Sequence, residues 1–278
     1  GMTRLGIAAM EAGRLIPVIC LALSVIPLFS MGRLLGGRAA GYLGCCIPLV
    51  LWPLALVAVY AWSETPYIFF TLCAVWALTV FVVGHDEHAD FRLVLIAAIA
   101  TATALLVRYI GASIVAAGLM VLILDSRFGL RRRLAHSVVY GLLGTGPMAL
   151  WVAHNLLTTG TVAGERSVSP HGPVHYAVSV TRQVIRDLSC ADAAAVVWAR
   201  GQYVVALLLA VMTASIIFVV FRAAGGRALG RRYVARAAPA IAYVSMYLVA
   251  LVSIASLWDF LPIYVRFTAP VYPFIGLL

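Results

Sequence analysis

Residues 93–124, LVLIAAIATATALLVRYIGASIVAAGLMVLIL, run for 32 residues with one charge, Arg108. A single helix of that length would rise about 48 Å, well beyond a hydrocarbon core of about 30 Å. Split at Arg108, the stretch becomes two short passes of about 15 residues each. The split places Arg108 in a tight turn, helped by Gly111, at one membrane face where its charge avoids hydrocarbon. An apolar helical hairpin is the unit from which the rest of the chain can be read.

Outward from that hairpin, apolar runs recur along all 278 residues. Hydrophobic residues make up 64% of the chain and charged residues only 11%, whereas a soluble domain needs about 25% charged residues. Spans are predicted at 15–31, 44–62, 66–84, 93–107, 109–124, 137–157, 202–221 and 238–258, with a ninth starting near 263 and cut off at Leu278. The expected fold is all-α, a polytopic transmembrane helical bundle of eight to nine spans, with residues 1–278 as one transmembrane domain. Disorder and nucleic-acid binding are excluded, because the basic residues lie between apolar spans rather than on one soluble face. Glu11 and Arg14 interrupt the start and no cleavage site follows the first apolar run, so no cleavable signal peptide is expected. Four of the five cysteines sit in or beside spans and show no metal spacing, which favours packing over a disulfide framework. Every basic residue is arginine and Asn155 is the lone asparagine; this bias reads as a GC-rich bacterial genome, hence a bacterial inner membrane.

Arginine sets the orientation. Loops 32–43 (Arg33, Arg38), 85–92 (Arg92), 125–136 (Arg127, Arg131, Arg132, Arg133) and 222–237 (Arg222, Arg227, Arg231, Arg232, Arg236) hold 12 of the 20 arginines. All four fall on one side of the predicted spans, which makes that side cytoplasmic. The turn at Ser63-Glu64-Thr65, the Arg108 turn and the long loop 158–201 are then outside. Within that loop, AVSVTRQVIRDL (177–188) sets Val178, Val180, Val184, Ile185 and Leu188 apart from Arg182 and Arg186, as suits a helix lying along the membrane surface.

The outer face gathers Glu64, Arg108, Arg182, Arg186, Asp187, Asp192, Asp259 and Arg266. Helix-end anchoring explains most of them. Glu64 stands out, in a turn of about three residues between two long spans, flanked by the interfacial residues Trp62 and Tyr67. A carboxylate there can bind a metal, accept a proton or orient a hydroxyl. Arg108 and Arg266 each precede an aromatic residue, Tyr109 and Phe267. Guanidinium groups at headgroup depth suit phosphate through bidentate hydrogen bonds; a specific lipid phosphate and bulk headgroups would both satisfy them. His85 and His88 fall on the opposite side from His171 and His175, and Gly172-Pro173 interrupts the helix that would align the second pair, so no metal site is expected. No P-loop, dinucleotide fingerprint, HExxH or GxSxG occurs.

Four segments occur in a telling order: EAGRLIPVICLALSVIPLFSMGRLLGGRAAGYLGCCIPL (11–49), SETPYIFFTLCAVWAL (63–78), LLVRYIGASIVAAGLMVLIL (105–124) and VRFTAPVYPFIGLL (265–278). Together they resemble the GT-C superfamily of membrane glycosyltransferases, which contains the protein O-mannosyltransferases and aminoarabinose transferases. ALWVAHNLLTTGTVAGERS (149–167) is also similar to the end of a family helix entering an outer loop. The resemblance covers about half the chain and rests on the Ser-Glu turn, the Arg-Tyr-Ile-Gly hairpin and the Arg-aromatic-x-x-Pro-x-x-Pro run.

The resemblance implies an enzyme that takes a sugar from a polyprenyl-phosphate carrier and passes it to an acceptor outside the cytoplasm. Its partners would be that donor, membrane lipids and an acceptor that the sequence does not name. Glu64 becomes the candidate catalytic residue, with Arg108, Tyr109, Arg266, Arg182 and Arg186 as candidate substrate ligands and a divalent metal as a conceivable aid. The family's principal catalytic acid usually lies in the outer loop after the first transmembrane helix, whereas here Glu11 is the only acidic residue before Glu64. The chain therefore reads as a fragment lacking that helix and loop, and inactive by itself. A secondary transporter or lipid flippase is the competing reading; it would place ionisable sites near the midplane within internal repeats, and no repeat is found.

Overall fold

The computed structural model describes residues 9–50, 52–59, 63–84, 87–162, 169–188, 228–258 and 265–278. Nearly all of them are helical, as a chain must be when hydrocarbon offers its backbone no partners. The helices are α1 (Ala9–Leu23), α2 (Val25–Val50), α3 (Trp52–Val59), α4 (Glu64–Val83), α5 (Glu87–Val107), α6 (Ala112–Leu124), α7 (Leu130–Thr159), α8 (Pro173–Leu188) and α9 (Ala228–Leu257). A last stretch comprises α10 (Val265–Thr268), a 3-10 turn (Ala269–Val271) and α11 (Tyr272–Leu277).

The loop expected at 32–43 is instead a sharp reversal within α2 at Gly37, whose φ of 84° and ψ of −168° suit only glycine. Its two arms run back along each other: a Cβ on Gly32 would lie 2.4 Å from the Ala40 carbonyl oxygen, and one on Gly44 would lie 2.8 Å from that of Leu28. In an uninterrupted helix, residues eight apart would be separated by about 12 Å. The Phe29 and Tyr42 rings meet edge to face at 5.5 Å across this glycine-lined seam.

The hairpin that decided the fold is present. α5 ends at Val107, Arg108 adopts extended backbone (φ −150°, ψ 132°), and a 3-10 turn over Tyr109–Gly111 leads into α6. A Cβ at Gly111 would sit 2.6 Å from the Cα of Leu105, so the close turn requires glycine.

Several helices extend beyond their predicted spans. α5 begins at Glu87 rather than 93, α7 at Leu130 rather than 137, and α9 at Ala228 rather than 238. Arginine is a good helix former, so the basic loops contribute whole turns of helix. Among the described residues, Glu64–Val83 and Tyr233–Leu257 are long and apolar enough to cross a bilayer, as is the apolar stretch Leu15–Ile47 that Gly37 folds back on itself, with shorter apolar helices at Phe91–Val107 and Tyr109–Leu124. The predicted span 202–221 lies outside the described residues. Large apolar side chains such as Ile26, Leu142, Leu150, Leu157 and Val249 are exposed on the bundle's exterior, which suits a hydrocarbon surround and not water.

The core joins α4 to α5 and α9, and α6 to α7 and α9. It is rich in buried tyrosines: Tyr67, Tyr140, Tyr243, Tyr247 and Tyr272. The Tyr140 hydroxyl lies 2.9 Å from the Thr101 hydroxyl and donates to the Ile114 carbonyl at 2.9 Å, linking α5, α6 and α7. At one end of the bundle, Arg127 pairs with Asp125 and donates to the Gly84 carbonyl at 2.7 Å, while Arg236 donates to the Leu34 carbonyl at 3.1 Å. Arginine-bearing segments assigned to a common side thus meet neighbouring segments assigned to that side.

Candidate functional site at the Glu64–Arg108 pair

At the other end of the bundle, Glu64 is the first residue of α4 rather than part of a three-residue turn, with Ser63 as the N-cap residue. A carboxylate in the first helical turn is favoured by the macrodipole. It is 3% exposed, and burial of a charge demands a partner. That partner is Arg108, whose Nη1 donates to Glu64 Oε1 across 44 residues of sequence. Arg108 adopts extended backbone at the end of α5, and from there its side chain reaches α4.

Arg266 joins the pair through an aromatic ring. The guanidinium carbon of Arg108 lies 5.8 Å from the Phe267 ring centroid and that of Arg266 lies 4.7 Å from it, both within cation–π range. Phe267 itself is held from α9, because Tyr247 donates its hydroxyl to the Phe267 carbonyl at 2.7 Å. Tyr67 and Tyr243 share a hydrogen bond of 3.3 Å beneath this layer, and the Tyr67 ring stands 6.3 Å from that of Tyr247. Two cations thus share one ring above a tyrosine floor. Among the described residues Glu64 is the one polar partner of Arg108, and a guanidinium carries five donor hydrogens, so donors remain for a further anion.

The other candidates separate. Tyr109 follows Arg108 but points to the segment after α7, donating its hydroxyl to the Val162 carbonyl at 3.3 Å. Arg182 and Arg186 stand at exposed positions of α8. The face of α8 that docks on the bundle carries Tyr176, Val180 and Asp187 instead. Val178, expected on a common apolar stripe with Val180, is 44% exposed; two residues are 200° apart on a helix, which divides the valines between faces. Pro173 opens α8 and does not interrupt it, and the rings of His171 and His175 stack at 4.1 Å. Among the described residues no group of three or more His, Cys, Asp or Glu side chains is placed to hold a metal ion. Asp192 and Asp259 lie outside the described residues.

Three participants escaped the sequence-based site: Tyr247, Phe267 as a shared ring, and Asp187 as a buried acceptor. The signal for the first was present, since Tyr243 and Tyr247 place two hydroxyls one helical turn apart inside an apolar span.

Residues 1–151 match the family model for dolichyl-phosphate-mannose-protein mannosyltransferase, more than half of the chain. The chain belongs to that family. No curated protein and no solved structure matches it. This mannosyltransferase-family chain is a membrane glycosyltransferase of GT-C type, as the resemblance implied. The matched region includes Glu64 and Arg108; α8, α9 and the Arg266 segment lie beyond it.

Proposed function

We propose that the protein transfers a sugar from a polyprenyl-phosphate carrier to an acceptor on the non-cytoplasmic face of a bacterial inner membrane. The supporting observation is the convergence of Arg108 and Arg266 on Phe267 at the bundle end that carries buried Glu64. In the transfer, an acceptor hydroxyl oxygen bonds to the sugar's anomeric carbon while the bond from that carbon to the phosphate oxygen breaks. The electron pair leaves with the polyprenyl phosphate, and the acceptor's proton passes to a general base distinct from Glu64, whose carboxylate holds Arg108. Negative charge therefore grows on the phosphate, and two preorganised guanidinium groups lower the barrier by meeting it. Arginine suits this role better than lysine because its planar fork matches two phosphate oxygens.

Within this scheme Glu64 orients Arg108. Its carboxylate accepts from the Arg108 guanidinium and so fixes the fork against the surrounding apolar helices. Arg182 and Arg186 lie farther out on α8, where they would contact phosphates at the membrane surface. The arginine-rich loops face the cytoplasm and loop 158–201 the exterior.

Transfer of a radiolabelled sugar from a defined polyprenyl-phosphate donor, in membranes of cells expressing the whole natural gene product and in membranes without it, tests the reaction. Protein-dependent release of polyprenyl phosphate is expected. Consumption of a nucleotide sugar with no lipid-linked sugar required would show the donor class to be wrong.

A further inference from the structure

Asp187 is a carboxylate with 1% exposure, although it belongs to α8, whose neighbouring position Arg186 is exposed. Its Oδ2 accepts from the Thr268 hydroxyl at 2.8 Å and from the Tyr272 hydroxyl, and its Oδ1 accepts from Gln183 Nε2 at 2.8 Å. Thr268 and Tyr272 flank the 3-10 turn over Ala269–Val271, and Thr268 directly follows Arg266 and Phe267 in α10. One carboxylate therefore ties α8 to the segment that carries half of the arginine pair.

Resting on the carrier-phosphate reading above, we propose that Asp187 is a positioning residue of that site. It fastens α8 to α10 and the following turn, and so sets where Arg266 and Phe267 stand. The segment is pinned from two directions: Tyr247 of α9 holds the Phe267 carbonyl, and Asp187 of α8 holds the Thr268 and Tyr272 hydroxyls. α10 spans only Val265–Thr268, too short to hold its own geometry, so its position depends on such outside contacts. Charge-assisted hydrogen bonds are stronger and more directional than neutral ones, which suits a carboxylate to this fastening. A well-packed apolar residue would often serve stability at least as well, which points to geometry as what the carboxylate secures. With both oxygens engaged and almost no exposure, Asp187 cannot meet an acceptor, so its action is through Arg266.

The test is binding of polyprenyl phosphate to the protein in nanodiscs, with polyprenol of equal chain length and phosphatidylglycerol as controls for tail and headgroup. Asp187→Ala is expected to weaken polyprenyl-phosphate binding about tenfold, within the range of coupling between contacting residues. Asp187→Asn, which keeps the shape and one acceptor but loses the charge, should recover only part of the loss. In an Arg266→Ala background, Asp187→Ala should cause no further loss. Tyr272→Phe removes one of the fastening bonds while keeping the ring, and should give an intermediate loss even if Asp187→Ala does not fold. Equal losses from Asp187→Ala with and without Arg266, or no loss from Tyr272→Phe, would overturn the positioning role and leave the phosphate reading standing. An Arg266→Ala variant that binds polyprenyl phosphate like wild type would overturn both.

Discussion

Replacing Arg108 with alanine perturbs two quantities, and the structure lets them be separated. The first is stability. Glu64 is 3% exposed and would lose its guanidinium; removing one partner of a buried pair costs about 3–5 kcal/mol. The Arg108 side chain is 18% exposed, so water reaches part of the vacated space and the lower end, about 3 kcal/mol, is expected. Adding Glu64→Gln removes the stranded charge, so the double variant should be more stable than Arg108→Ala alone. The second quantity is donor use. A hydrogen bond to a charged group contributes about 1.5–3 kcal/mol, which corresponds to a loss of about 10- to 150-fold in use of the lipid donor. Arg108→Lys keeps the charge without the planar fork and should recover only part of this. The assay is steady-state transfer with varied polyprenyl-phosphate sugar, on variants of the whole natural gene product matched for folded yield by size-exclusion profile and thermal melt. Arg131→Ala, at an exposed position in the first turn of α7, is the comparison and should change donor use little. Equal donor dependence for Arg108→Ala and Arg131→Ala would refute the phosphate role and reduce Arg108 to a structural partner of Glu64.

Three further outcomes are expected. Gly118→Ala should destabilise the bundle by about 1–3 kcal/mol through overpacking, because its Cβ would lie 2.3 Å from the hydroxyl oxygen of buried Tyr140; a melting temperature equal to wild type would show that the α6–α7 contact relaxes freely. Gly37→Ala should cost about 1–3 kcal/mol by backbone strain alone, since no atom lies within 4 Å of the added Cβ; a neutral effect would mean that the α2 reversal is made another way. On a background lacking native cysteines, Pro170→Cys should react with an impermeant reagent applied to intact cells while Leu130→Cys should not, and the opposite pattern would invert the topology.

The parts of this fold that were legible in the sequence are those governed by the bilayer itself. A 32-residue apolar run broken by one arginine has to fold back, and Arg108 marks the turn. Hydropathy marks where a helix meets hydrocarbon, not where the helix ends, which is why α5, α7 and α9 start six to ten residues before their predicted spans. The Gly36-Gly37 pair was visible, but its reversal depends on a backbone angle and on packing between arms that the residues do not announce. The site was half legible in the same sense. A carboxylate and two arginines beside a membrane face were evident as single residues; their convergence was not, because Glu64 and Arg108 lie 44 positions apart and Arg266 joins them only through Phe267. Asp187 shows the converse case: next to Arg186 in an amphipathic segment it looks solvated, and only the docking of α8 reveals that it faces inward.

The most direct test of the account is photocrosslinking of a polyprenyl phosphate bearing a photoreactive group beside its phosphate to the protein in membranes, followed by peptide mapping. The label should fall on the peptides around Arg108–Gly111 and Arg266–Thr268, should be displaced by unlabelled polyprenyl phosphate and not by polyprenol, and should fall sharply in Arg108→Ala. Labelling confined to the arginine-rich segments around Arg33, Arg131 or Arg236, or labelling unchanged by Arg108→Ala, would contradict the claim that this end of the bundle receives the carrier phosphate.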